Sequence, residues 1–145
     1  MNENFELMMH IHETADMGVY TTTTLLNALK KKENKIKHVL ECELKEYEKF
    51  LKESKAILVK NNVTPKESNP MAKVSSDFGI MFETIKDNSD PAIAAMLLEG
   101  ITMGTIEMTT KIDKYKEVCD EEMLEIARNF LKFQENEIEK LKTFM

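Results

Sequence analysis

Apolar residues recur every three or four positions over two stretches in the first half of the chain. The first stretch extends from about Asn4 to Lys31, and the second begins at Ile36. This spacing places the apolar side chains on one face of a helix, so it predicts two amphipathic helices. Glu33-Asn34 interrupts the pattern, and so short a connection requires the second helix to be antiparallel to the first. Residues 61–65 (Asn-Asn-Val-Thr-Pro) predict the end of the second helix.

The second half of the chain has the same organisation. The segment Ser89-Asp90-Pro91 is a helix-start signal, with one of its first two residues as N-cap and the proline at the first helical position. A third helix is predicted from there to about Tyr115. The pattern breaks at residues 118–120, where Asp120 can cap a fourth helix. The apolar stripe of that helix continues to Met145.

A long connection, residues 66–90, separates the second helix from the third. Apolar residues repeat at helical spacing within it: Met71, Val74, Phe78, Met81 and Ile85. This spacing predicts a partly helical crossover that lies on the helices.

Parts of the second hairpin repeat parts of the first. Residues 131–142 align with residues 40–51, which places Gln134 at the position of Glu43. The same alignment places Glu137 at the position of Glu46. We interpret the chain as two helical hairpins built on one template.

A glycine also lies at a matching place in each hairpin, Gly18 in the first helix and Gly104 in the third. Glycine costs a helix about 1 kcal/mol relative to alanine. Two such costs at equivalent positions predict that helices approach closely there. Together these patterns predict an all-α, antiparallel four-helix bundle formed by a single domain, residues 1–145.

Composition limits the classes of function. The net charge of −6 at pH 7 argues against nucleic-acid and membrane partners, because both bind basic protein faces. There is no basic signal-peptide start and no run of about 18 apolar residues. Cys42 and Cys119 form neither a disulfide framework nor a zinc spacing. We therefore expect a cytoplasmic protein with free thiols.

The duplicated hairpin, the crossover and two spacings, Glu43-x-x-Glu46 and Gln134-x-x-Glu137, resemble the ferritin-like superfamily. The likeness is to its rubrerythrin-type and small bacterial members. It implies a ferritin-like four-helix bundle with a long crossover between helices two and three. Active members hold two iron or manganese ions, using a Glu from each of two helices and a Glu-x-x-His pair from each of the others.

This chain departs from that ligand set. Both spacings lack the histidine, and Gln134 replaces a carboxylate. On the third helix the nearest carboxylate, Glu107, lies off the centre of the apolar stripe. His10 and His12 lie on different faces of the first helix and are interpreted as surface residues. The resemblance therefore implies an incomplete metal site, with weak iron or manganese binding by the remaining acidic residues: Glu43, Glu46, Glu107 and Glu137.

A second interpretation of the same residues needs no metal. A carboxylate on the buried stripe is costly unless it is neutralised or hydrogen-bonded. Glu43 would then bond Gln134 or Thr22 across the core, in a polar layer that fixes helix register. Glu46 and Glu137 flank the stripe and are expected to reach solvent.

The sequence leaves three functions open. The first is a small cytoplasmic bundle that retains weak iron or manganese binding. The second is a di-iron oxidase or peroxidase, or an iron-handling stress protein. The third is a non-catalytic interaction module that forms a homodimer or docks a partner through Phe78, Met81 and Ile85. We assign no catalytic residue, because the chain has no Ser-His-Asp arrangement, phosphate loop or cofactor fingerprint. This favours a protein that is not an enzyme.

Overall fold

The computed structural model describes residues 2–66 and 88–145, which form four α-helices and no strand. Helix α1 spans Glu3–Ala28, α2 spans Ile36–Lys60, α3 spans Asp90–Tyr115 and α4 spans Glu121–Lys142. The predicted all-α fold of four helices is confirmed. The residues predicted to form a crossover helix lie outside the described residues: Met71, Val74, Phe78, Met81 and Ile85.

Local signals in the sequence mark two of the helix ends. Ser89 is the N-cap of α3, where its Oγ accepts a hydrogen bond from the Ala92 N–H at 3.4 Å. Beyond the last residue of α2, Asn62 adopts a left-handed φ of 60°, a conformation that asparagine tolerates better than most residues. Two predicted ends were too late. Helix α1 ends at Ala28, and α4 ends early enough that Met145 is 65% exposed rather than buried.

The helices share two hydrophobic clusters, one toward each end of the bundle. The first cluster contains residues near the beginnings of α1 and α4 and near the ends of α2 and α3, among them Leu7, Leu124, Leu58 and Tyr115. The second cluster contains residues from the opposite ends: Leu29, Ile36, Ile93 and Leu141. Helix α1 is therefore antiparallel to α2 and α3 and parallel to α4. The end of α2 and the beginning of α3 lie at opposite ends of the bundle.

Polar contacts join the two hairpins where α3 begins. The Asp90 carboxylate accepts hydrogen bonds from Asn34 Nδ2 at 2.9 Å and from the Lys35 N–H at 3.1 Å. Asn34 Nδ2 also donates to the Asn88 carbonyl at 2.8 Å. Asp90 was a candidate cap for its own helix, but its side chain instead anchors the loop that precedes α2.

At the other end of the bundle, the contacts join α1 to the turn between α3 and α4. Tyr115 Oη donates to Glu6 Oε2 at 2.8 Å, and this hydrogen bond is the main cause that raises the pKa of Tyr115. The Asp120 N–H donates to Asn4 Oδ1 at 2.7 Å. Each hairpin is thus fixed to the other at both ends.

Replacing Asp90 with alanine should lower the free energy of unfolding by about 1–2 kcal/mol, because two charge-assisted hydrogen bonds between the hairpins are lost. Urea denaturation followed by circular dichroism measures the change. Asp113→Ala is the control, since its ion pair with Lys116 is exposed and should contribute less than about 0.5 kcal/mol. Equal losses in the two variants would show that the Asp90 contacts do not hold the hairpins together.

Among the helices of the described residues, α3 is long and apolar enough to cross a membrane, judged by length and composition. One third of the apolar window is buried inside the bundle. Core helices of globular proteins pass the same test, and α3 supplies Ile93, Leu97 and Met108 to the core. The expected lack of a membrane partner stays a prediction.

Candidate cation site and cleft

Four polar side chains are buried between the two hydrophobic clusters: Thr22, Glu43, Gln134 and Glu137. On α2, Glu43 lies between Leu40 of the second cluster and Tyr47 of the first. On α4, the polar pair lies between Phe133 and Leu141. The structure therefore has a polar layer at the level where the sequence repeat predicts one.

The centre of this layer is a pair of carboxyl groups. Glu43 and Glu137 are each 2% exposed, and their side chains are hydrogen-bonded to each other. Burial, followed by the charge of Glu137, raises the pKa of Glu43 to about 8. Burial also raises the pKa of Glu137, while Lys140 Nζ, 3.2 Å from Glu137 Oε1, opposes that shift. At neutral pH Glu43 therefore carries a proton and donates it in a hydrogen bond to Glu137.

The hydrogen bond predicted for Glu43, to Gln134 or Thr22, is wrong. Its partner is Glu137, which lies about one helical turn beyond Gln134 on α4. Thr22 Oγ1 instead donates to the Gly18 carbonyl of its own helix. A hydroxyl in the middle of a helix has this carbonyl within reach, and the local bond satisfies it without a partner across the core.

Several acceptor atoms in the layer lack a donor. With both carboxyl groups ionised, Glu43 Oε2 and Glu137 Oε2 have no hydrogen-bond donor within residues 2–66 and 88–145. The proton on Glu43 supplies one donor, which links the two groups. Gln134 Oε1 has no partner among the described residues in either state. Buried acceptors without donors are uncommon in folded proteins. Such acceptors favour the binding of a hydrogen-bond donor or a cation.

A cleft of about 430 Å³ lies between α1 and α3 and extends inward to this layer. Glu43, Gln134 and Tyr47 reach it from α2 and α4. Five apolar side chains of α1 and α3 also line it: Met17, Met96, Leu97, Ile101 and Met103. The remaining ionisable groups of the lining are His10, Glu13 and Glu107. No lysine or arginine occurs among the described residues that line the cleft.

Glu137 faces the other side of the bundle. It lines a groove between α2 and α4 together with Glu46 and several lysines, including Lys140. The Glu43–Glu137 pair thus extends through the bundle from the α1–α3 cleft to the α2–α4 groove.

The structure brings together two of the four predicted metal ligands. Glu43 and Glu137 are in contact, whereas Glu46 is exposed in the groove and Glu107 is exposed at the cleft. The prediction that Glu137 reaches solvent is wrong, because α4 contacts all three other helices and buries a broader face. Within residues 2–66 and 88–145, no group of three or more His, Cys, Asp and Glu side chains is placed to hold a metal ion. Metal binding by the four residues stays a prediction.

Two histidines expected at the surface are inside. His12 is 3% exposed, and His10 is half-buried in the lining of the cleft. Burial, with a smaller contribution from Lys111, lowers the pKa of His10 to about 4. The spacing of His12 from Met8 and Ala15, four and three residues, already placed it on the apolar stripe.

The two glycines mark close helix contacts, as predicted. A Cβ atom added to Gly18 would lie 2.5 Å from the Tyr47 ring of α2, and one added to Gly104 would lie 2.7 Å from Gln134 Nε2 of α4. The contacts are not equivalent in the repeat, because Gln134 aligns with Glu43 rather than with Tyr47. Gly104 nonetheless brings α3 against Gln134 of the polar layer, and Gly18 brings α1 against Tyr47, one helical turn after Glu43 on α2.

No model of a known protein family matches the chain. Curated proteins and solved structures give no match either. The function is therefore inferred from the buried acidic pair and the cleft beside it.

Proposed function

We propose that this protein is a cation-binding helical bundle with a ferritin-like arrangement, and that it binds one cation at Glu43, Gln134 and Glu137. The observation that carries the proposal is that these three buried side chains present more acceptor oxygens than the described residues supply with donors. The family resemblance suggests that this cation is a single iron or manganese ion.

Energetics support a cation at this place. Burying two carboxyl groups side by side is unfavourable, and apolar residues of similar volume would give a more stable core. Lys140, which forms an ion pair with Glu137, is half-exposed and lies on the groove side of the pair. A cation between Glu43 and Glu137 would neutralise the pair and occupy the free oxygen of Gln134.

The chemistry of the donor set indicates which metal ions fit. Two carboxylates and one amide oxygen are hard ligands, which suit Mg²⁺, Mn²⁺ and Fe²⁺. The set fits one ion. It does not fit two ions about 3.5–4 Å apart, because such a site needs further inward ligands. Glu46 and Glu107 are exposed on opposite sides of the pair. The di-iron oxidase or peroxidase alternative is therefore not favoured.

The ferritin-like arrangement is supported by topology. Each hairpin contributes its second helix to the acidic layer, and the end of α2 lies at the opposite end of the bundle from the beginning of α3. This is the connectivity of a bundle with one long crossover. The alternative of an interaction module stays a prediction, since its proposed patch, Phe78, Met81 and Ile85, lies outside the described residues.

Titration with Mn²⁺, with free ion counted by electron paramagnetic resonance, tests the proposal. We expect one ion per chain, and we expect Glu43→Gln and Glu137→Gln each to weaken binding by about tenfold or more, equivalent to about 1.4 kcal/mol. Binding should tighten between about pH 6 and about pH 8, because the ion displaces the proton on Glu43.

The matched variants are Glu46→Gln and Glu107→Gln, which remove the same charge from exposed positions. Both should change Mn²⁺ affinity by less than about threefold, since exposed charges are screened. A loss in Glu46→Gln as large as that in Glu43→Gln would place the ion in the α2–α4 groove and overturn the proposal. So would the absence of saturable binding by any cation.

A further inference from the structure

We infer that the physiological cation is the protonated amine of a small apolar molecule, bound in the α1–α3 cleft with its ammonium group at Glu43 and Gln134. This inference rests on the proposed function, because it uses the same buried carboxyl group as counter-charge. To the proposed function it adds the chemical class of the ligand and the part of the cleft that the apolar portion of the ligand occupies.

The volume of the cleft indicates a ligand larger than an ion. Its 430 Å³ falls within the range of about 300–1,000 Å³ that is typical of small-molecule sites. A water molecule occupies only about 30 Å³ of liquid, so a bare ion with one or two waters would leave most of the cleft open. An organic ligand would fill it.

The walls of the cleft are apolar and adaptable. Met17, Met96 and Met103 face it from α1 and α3, beside Leu97 and Ile101. Methionine is unbranched and polarisable, so it packs against ligands of varied shape. Met103 is 57% exposed, so part of this apolar wall is open to water. An apolar body in the cleft would cover it and gain roughly 25 cal/mol for each Å² removed from water.

The described residues at the inner end of the cleft offer acceptors and no permanent positive charge. Glu43 Oε2 and Gln134 Oε1 both belong to residues of the lining and both lack donors, whereas an ammonium group provides three donors and no acceptor. An anion would meet these oxygens and the carboxylates of Glu13 and Glu107. The burial of His10, which lowers its pKa to about 4, keeps that side chain neutral at pH 7.

Glycine keeps the cleft open. Gly18, Gly100 and Gly104 all line it, and a Cβ atom added to Gly100 would have no neighbour within 4 Å in the part of the chain that the structure describes. A large side chain at position 100 therefore has room to enter the cleft without displacing the polar layer. Gly100→Leu should also favour the helix, because leucine has a higher helix propensity than glycine.

The test uses three probes of nearly equal shape and different charge: phenylpropylamine, phenylpropanol and phenylpropionate. Calorimetric titration of the full chain should show one saturable site for the amine, at least about tenfold tighter than for the alcohol. The carboxylate should not bind. Glu43→Gln should reduce the affinity for the amine to about that for the alcohol, and Gly100→Leu should weaken both about tenfold without changing Mn²⁺ binding.

The outcomes separate the inference from the proposed function. If Mn²⁺ binds with the expected dependence on Glu43 but the amine is no better than the alcohol, the organic ligand is wrong and the cation site stands. Equal binding of the amine to wild type and Glu43→Gln also overturns the inference, because the cleft would then be an apolar site only. If neither Mn²⁺ nor the amine binds, both proposals fail.

Discussion

Replacing Glu43 with glutamine should raise the free energy of unfolding by about 2–4 kcal/mol at about pH 8 and leave it nearly unchanged at about pH 4. The side chain has an ordinary pKa of 4.5, and burial together with Glu137 raises the value in the folded protein to about 8. Between these values the folded protein holds a proton that the unfolded chain has released. The stability that depends on this proton is complete below pH 4.5 and is lost as the pH rises toward about 8.

Glutamine removes this loss. It is neutral at every pH, has nearly the shape of the protonated acid, and can donate its N–H to Glu137. Each pKa unit corresponds to about 1.4 kcal/mol, which sets an upper limit of about 5 kcal/mol for the shift from 4.5 to about 8. Relaxation of the site and entry of water reduce the expected gain in unfolding free energy to about 2–4 kcal/mol.

His10 affects the wild-type protein in the opposite direction. Burial lowers its pKa from 6.5 to about 4, so its stabilising contribution is present above pH 6.5 and is lost as the pH falls toward 4. Between pH 4.5 and pH 6.5 the contributions of His10 and Glu43 to the stability of the wild-type protein therefore change in opposite directions. The comparison of wild type with Glu43→Gln removes the effect of His10, because both proteins retain it.

Urea denaturation at a series of pH values between about 4 and 8 measures the difference directly. Glu46→Gln, an exposed change on the same helix, should differ from wild type by less than about 0.5 kcal/mol throughout. If Glu43→Gln is less stable than wild type at pH 8, then the Glu43 carboxylate is ionised and well satisfied in the folded protein. The interpretation of the pair as two groups sharing one proton would then be wrong.

The stability that Glu43→Gln is expected to gain is also evidence about function. A residue that lowers stability at neutral pH, in the centre of an otherwise regular bundle, conflicts locally with the fold around it. Such conflicts occur mainly at sites where binding or catalysis requires them. Glu43→Gln should therefore give a more stable protein that binds its cation more weakly, and the two measurements together distinguish a binding site from a merely structural polar layer.

The main elements of the fold were predictable because they depend on local spacing. The three- and four-residue recurrence of apolar positions located all four helices, and the signals at Ser89 and Asn62 placed two of their ends. The ends of α1 and α4 were less accurate. The predicted stripes extend to Lys31 and Met145, a few residues beyond the helix ends at Ala28 and Lys142.

The polar layer was only partly predictable. Residues three apart on a helix differ by about 60° in direction, so Gln134 and Glu137 both fit a buried face wider than about 100°. The same spacing separates Glu43 from Glu46, yet Glu46 is exposed. Sequence repetition predicts equal environments for Glu46 and Glu137. The structure differs because α4 packs on three helices, whereas α2 packs mainly on α1.

The cleft could not be predicted from periodicity. It exists because α1 and α3 have fewer contacts with each other than each has with its hairpin partner. The separation of two helices depends on packing between distant parts of the chain, which spacing along one helix does not report. The glycines at positions 18 and 104 indicated where helices meet, but not which side chains they meet.

Replacing Gly18 with alanine should lower the free energy of unfolding by about 1–3 kcal/mol. The new methyl carbon would lie 2.5 Å from two atoms of the Tyr47 ring, which is too close for any real contact. Tyr47 is 6% exposed and packs edge-on against Phe133, with ring centroids 5.0 Å apart, so the ring has little room to move. The helix must shift instead, and the loss exceeds the gain of about 1 kcal/mol in helix propensity.

Gly100→Ala is the matched control. It makes the same chemical change in a helix, at a position where the methyl group has no described atom within 4 Å, and it should raise stability by about 0.5–1 kcal/mol. The stability of Gly104→Ala should lie between those of the other two variants. The new methyl group would contact Gln134 Nε2, which is the end of a flexible side chain and can move away. Thermal and urea unfolding of the three variants would establish the order. If Gly18→Ala is as stable as Gly100→Ala, then α1 and α2 are not in close contact at Tyr47, and the glycines do not set the helix separation beside the acidic pair.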